Sequence, residues 1–156
     1  MKQHTWFVAA CLLACAPAVT PALAQPIVFT EAAGLRHACG GVGAEERREM
    51  EALRRAGQLE ILFTSEKRGA FVSGVDVEIA PRAATGAPTR FRAQGPTCLV
   101  EAAPGTWRVT ARLGAAERTR EVKLAATGAR IVITFPDEAA DGIRASEEEK
   151  RQARQP

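Results

Sequence analysis

The sequence has no tyrosine and no asparagine, and only four lysines stand beside 17 arginines. Any chemistry that needs a phenol is therefore excluded, and so are N-glycosylation sequons. Only two histidines occur, His4 and His37. There is no Cys-x-x-Cys, no haem-attachment spacing and no Gly-x-Ser-x-Gly elbow. No uninterrupted apolar run reaches the ~20 residues a bilayer-spanning helix needs, so no transmembrane segment is expected.

What is present is the composition of an ordinary globular protein. Of 156 residues, 46% are hydrophobic and 25% charged, which sets disorder aside. Residues 1–24 have the order of a secretory signal peptide: Lys2, then the apolar run Trp6 to Ala16, then Thr20-Pro21-Ala22-Leu23-Ala24 with a small-x-small cleavage site after Ala24. Leu12-Leu13-Ala14-Cys15 also spells a lipobox. Cleavage there would leave a lipoprotein anchored through Cys15, a secondary reading beside export to the periplasm or medium. Removal of residues 1–24 takes Lys2 away and leaves 20 cations against 18 anions. That balance names no anionic partner, and each arginine cluster has glutamate close by, unlike the concentrated basic footprint of a nucleic-acid binder.

Cys11 and Cys15 fall within the leader, so the mature chain keeps Cys39 and Cys98. Two cysteines in an oxidising compartment permit one intramolecular bridge. The other reading is a metal or redox site in which His37, two residues from Cys39, joins both sulfurs. Three ligands without a fourth make a poor structural zinc site, and no cofactor is expected.

Along the mature chain, residues 25–57 read as an arm followed by a helix. Ile27-Val28-Phe29 is the arm's one apolar group, and the glycines of Cys39-Gly40-Gly41-Val42-Gly43 resist regular structure. A surface helix is predicted over 44–56, with Glu45 and Glu46 in its first turn, Arg54 and Arg55 in its last, and Gly57 as its stop. From Gln58 the apolar period changes from 3.6 to 2. Seven short strands are predicted at 58–64, 75–79, 89–93, 98–101, 106–112, 118–124 and 129–135, separated by Gly- or Pro-bearing turns such as Ala84-Thr85-Gly86. The reading is mainly β: a seven-stranded antiparallel Greek-key β-sandwich over 58–135, preceded by one short α-helix. Its inward positions include Leu59, Phe63, Phe91, Leu99, Trp107, Val109, Ile131 and Ile133, with Trp107, Val109, Phe63 and Ile133 as the structural core. Residues 136–156 lose all alternation, and although Ser146-Glu147-Glu148-Glu149 spells a capping box for a short helix, the tail is expected to be disordered or weakly helical.

Pro104-Gly105-Thr106-Trp107-Arg108-Val109 resembles the Pro-Gly-x-aromatic-x-Val turn and strand of carboxypeptidase-regulatory-like, prealbumin-type sandwich domains. Gly40-Gly41-Val42-Gly43-Ala44-Glu45-Glu46 is similar to the helix start of small exported proteobacterial proteins that carry such a domain. The departures are Trp107 where tyrosine is usual and Ala102-Ala103 where Leu-Pro is. The resemblance implies a sandwich fold and a secreted, non-catalytic accessory role.

Enzymatic relatives of that sandwich use several histidines, or iron held by tyrosine and histidine, and this chain supplies neither. A serine triad would have to combine Ser65, Ser73 or Ser146 with His37. A glycosidase-like pair would have to combine Glu60 with Asp76 or Glu78. Both are set below a non-enzymatic reading with no catalytic residue. For binding, Phe29 and Phe71 are the aromatic candidates for a carbohydrate platform, being off the inward strand positions. Arg90, Arg92, Arg108 and Arg112 point outward, and pairing with Glu60, Asp76 and Glu78 on other strands is favoured over an anionic ligand. The function expected is an envelope interaction or accessory module whose partner is an unidentified envelope protein or surface. The alternative is a periplasmic ligand- or metal-handling protein built on His37, Cys39 and Cys98.

Overall fold

The computed structural model describes residues 26–83 and 87–154. The leader, with Cys11 and Cys15, and the turn at 84–86 lie outside the described residues. The chain is mainly β, with two sheets packed face to face. The element order is β1 (Thr30–Ala32), β2 (Leu35–Gly40), α1 (Ala44–Leu53), β3 (Gln58–Ser65), β4 (Val75–Pro81), β5 (Thr89–Ala93), β6 (Thr97–Glu101), β7 (Gly105–Leu113), β8 (Ala116–Leu124), β9 (Ala129–Phe135) and α2 (Asp137–Gln152). The first sheet runs β1-β2-β6-β3-β9 and the second β5-β4-β7-β8.

All seven strands expected from the alternation are present, as β3 to β9. Period-2 burial produces them: Leu59, Ile61 and Phe63 on β3 face Val75, Val77 and Ile79 on β4 and Val109 on β7, all fully or nearly fully buried in one core. Among the described residues there are nine strands rather than seven, because the expected arm contributes two of them. Residues 30–40 form the hairpin β1–β2, and β2 lies inside the first sheet, antiparallel to β6. Its glycine, read as a breaker, sits within the strand, where a Cβ would press on the end of the Ile27 side chain. The sheets are not wholly antiparallel either. The short turn at 125–128 returns the chain from β8 to the first sheet in the direction of β3, so β9 pairs with β3 in parallel.

Helix α1 covers the outer face of the first sheet. Met50, 3% exposed, sits over β2, and Ala38 and Leu99 are buried on that same outer face. Leu99 therefore points toward the helix rather than between the sheets, since its pair partners are Ala38 and Glu60 while Cys98 and Val100 join the inter-sheet core. The run Cys98-Leu99-Val100 carries no alternation because both faces of β6 are covered. Helix α1 stops at Leu53, earlier than the sequence suggests. Arg54 is already extended, and the Gln58 side chain accepts the Arg55 N–H at 2.7 Å and donates toward the Leu53 carbonyl. At the front of the helix Glu46 accepts the N–H groups of Gly41 and Val42, both at 3.1 Å, which ties the turn leaving β2 to the first turn of α1.

The tail takes the helical of its two expected forms and is longer and better anchored than a frayed turn. Residues 137–152 form a 16-residue helix. Ala140 is buried in the core, Arg68 bridges Asp137 (3.3 Å) and Asp141 (2.6 Å), and the two leading acids lie at the positive end of the helix dipole. The helix thus begins nine residues before Ser146, which cannot act as its cap. No helix among the described residues is long and apolar enough to cross a membrane.

Candidate functional site

The two mature cysteines meet. Cys39 on β2 and Cys98 on β6 are directly opposed in the ladder, with Cα atoms 4.1 Å apart, and they are joined by a disulfide. The bridge closes a separation of 59 residues and staples two neighbouring strands within one sheet, rather than tethering a loose arm to a finished domain. A disulfide between such strands is the mark of an oxidising compartment.

His37 lies two residues earlier on the same side of β2. Its ring stacks on Phe91 of the opposite sheet, with centroids 3.9 Å apart and planes at 17°. The pair closes the seam where β2 and β5 approach. Burial lowers the His37 pKa below its ordinary 6.5, and its buried Nδ1 has no hydrogen-bond partner among the described groups. A small polar cavity of about 240 Å³ opens there, lined by His37, Cys39, Thr30, Arg92 and Gln94 among others. The cavity unites His37 and Cys39 as the sequence suggested, but both sulfurs are committed to the disulfide and offer no thiolate. Among the described residues, no group of three or more His, Cys, Asp or Glu converges as a metal set. No serine lines this cavity either. The Ser65 hydroxyl accepts the Ala70 N–H at 3.1 Å inside a turn, and the Ser146 side chain lies outside the described ones.

The carboxylates proposed as a catalytic pair cannot meet. Glu60 is on the outer face of the first sheet, and Asp76 and Glu78 are on the outer face of the second, with the whole core between them. Glu60 is instead held by Arg54 at 2.7 Å and lies 3.6 Å from Arg130.

The four outward arginines form a ladder with acids on the second sheet. Arg92 pairs with Asp76 (3.1 Å) and Arg90 with Glu78 (2.8 Å), while Arg112 lies 2.6 Å from Glu117 and 3.8 Å from Glu78, and Arg108 is 3.4 Å from Glu121. Strand register generates this order, since Arg92, Asp76, Arg112 and Glu117 occupy one row across β5, β4, β7 and β8. The hydrogen bond to Glu117 and its charge raise the Arg112 pKa further. These pairs are exposed and screened by solvent, so each adds little to stability, and they neutralise the face.

The aromatic candidates divide. Phe29 is half-buried under the Arg36 guanidinium, 5.1 Å from its ring centre, whereas Phe71 is 51% exposed and bridges to Thr64 beside β3. Val109, Phe63 and Ile133 are fully buried. Trp107 is only half-buried: it faces inward near the start of β7, at the rim of the core, where its indole N–H donates to the Ala103 carbonyl at 2.9 Å. Sequence reasoning missed the His37–Phe91 contact: Phe91 occupies an expected inward position, but His37 fell in a segment read as an arm, so no local signal paired the two. No protein-family model matches the chain, and no curated protein matches it.

Proposed function

We propose that this chain is an exported, non-enzymatic β-sandwich protein that serves as an envelope interaction or accessory module. The observation that carries the reading is the Cys39–Cys98 bridge across β2 and β6. A bond of this kind persists where thiols are oxidised, and the leader-like residues 1–24 supply a route to such a compartment. The non-catalytic side of the reading draws support from how the polar groups are engaged. Asp76, Glu78, Glu60 and Glu117 are spent on arginines, and the His37 ring is stacked on Phe91. The Pro104-Gly105-Thr106-Trp107-Arg108-Val109 turn and strand keep the resemblance to carboxypeptidase-regulatory-like domains as part of the proposal. In this chain the aromatic of that motif closes the rim through its bond to Ala103.

The test is to purify the processed protein from the envelope fraction with its bridge intact, equilibrate it with zinc and copper, and measure metal retained after desalting. The reading expects none. Stoichiometric retention lost in a His37→Gln variant would replace it with the ligand- or metal-handling alternative at His37 and the cavity beside it.

A further inference from the structure

Two sheets have four edges, and each edge presents backbone N–H and C=O groups to any strand that can approach. Three of these edges are guarded. Strand β1 has three residues. Strand β5 carries Arg90 and Arg92, and β8 carries Glu117, Arg118, Arg120, Glu121 and Lys123. Strand β9 differs. Its seven residues, Ala129–Phe135, include a single charge, Arg130, and the run Ile131-Val132-Ile133-Thr134 is wholly β-branched. Among the described residues it ends the first sheet with β3 as its one ladder partner, β8 of the second sheet packs beside it, and Val132 is 45% exposed.

We propose that the free edge of β9 is the dimerisation surface of this protein, taking β9 of a second copy in antiparallel register. A two-fold axis through Val132 sets Val132 against its own copy, Ile131 against Ile133, Arg130 against Thr134 and Ala129 against Phe135. Ile131, Ile133 and Phe135 belong to the core side, whereas Arg130, Val132 and Thr134 lie on the outer side. The two faces therefore stay matched across the junction, as period-2 pairing demands. No like charges oppose one another. The other long edges fail that test: self-pairing of β5 about Phe91 sets Arg90 against Arg92, and self-pairing of β8 about Arg120 sets that arginine against its copy. This asymmetry makes a second copy the fitting occupant, because an isologous contact requires a self-complementary strand. The product is a continuous sheet made of two five-stranded halves. The proposal does not depend on export.

Sedimentation velocity on the processed, oxidised protein across the micromolar range tests it, with circular dichroism and thiol titration confirming that each variant keeps its strands and its bridge. Wild type is expected to show a concentration-dependent dimer. Thr134→Glu, which faces Arg130 of the other copy twice per dimer, should tighten it about five-fold, and Thr134→Lys should loosen it by a similar factor. Val132→Lys, which opposes two ammonium groups on the axis, should weaken it more than about ten-fold. Opposite signs from the two Thr134 variants would not arise from contact through another surface. A protein that is monomeric throughout, or a dimer indifferent to positions 132 and 134, would overturn the proposal.

Discussion

At the scale of single residues, the fold depends on a few positions where side-chain size or backbone sign leaves no choice. A Cβ on Gly95 would lie 2.6 Å from Gly40 Cα and closer still to the Gly40 carbonyl, so the turn before β6 and the end of β2 pack backbone on backbone. Gly95→Ala is therefore expected to cost about 1 to 3 kcal/mol, the range for overpacking, read as a lowered urea midpoint with an unchanged m-value. Ala33 is the opposite case. It is the first residue of the two-residue turn between β1 and β2 and sits at φ +45° beside Gly34 at +80°, in a turn type that favours Asn-Gly. Ala33→Gly should stabilise the protein by about 0.5 to 1 kcal/mol through relief of left-handed strain, and a loss of stability in the same urea titration would contradict the assigned turn. His37 gives a pH signature. Its folded pKa lies below the ordinary 6.5 because burial disfavours the cation, so the unfolded chain takes up a proton first as acid is added. Its contribution is complete above about pH 6.5 and is lost as pH falls from there toward the lowered folded value. Arg92, the charged group lining the same cavity from β5, adds a further cation there. Stability of wild type should fall relative to His37→Phe, which keeps an aromatic against Phe91, as the pH drops below about 6.5; parallel curves would show that the ring is not desolvated.

At the scale of elements, most of β3 to β9 were legible from apolar alternation, as in Val75-Asp76-Val77-Glu78-Ile79, while β6, covered on both faces, was marked by its short apolar run and the turns that bound it. The hairpin β1–β2 was not. Leu35-Arg36-His37-Ala38-Cys39-Gly40 contains no β-branched residue, and its small residues Ala38 and Gly40 lie against α1 and Ile27. Local propensity carries no trace of those tertiary contacts. The same applies to α2, whose start depends on Arg68, a residue more than 60 positions away from Asp137 in the chain. Within the site, the cysteine pairing followed from counting, whereas the His37–Phe91 stack depends on how two sheets meet. The bridge is expected to act mainly on β2. Reduction should destabilise the protein by up to ~4 kcal/mol on the chain-entropy account. Amide exchange should accelerate first over Leu35–Gly40, with β3, β4 and β7 still protected. An unchanged unfolding midpoint after reduction would mean that the β2–β6 ladder and α1 hold the hairpin without it.

At the scale of the whole molecule, the parts describe a sandwich that neutralises its own surface. Arginine and acid rows cover the second sheet, α1 covers much of the outer face of the first, and α2 docks by its first turn and leaves Ala145, Glu148 and Lys150 exposed. The proposed role as an exported interaction module has one central requirement, an oxidised pair of cysteines in a processed chain. The most direct measurement is intact mass of the protein taken from cells after immediate thiol trapping under non-reducing conditions. The account predicts a chain beginning at Gln25 with Cys39 and Cys98 bonded and no trapped thiol. A mass showing two alkylated cysteines, or a lipidated N-terminal Cys15, would contradict it.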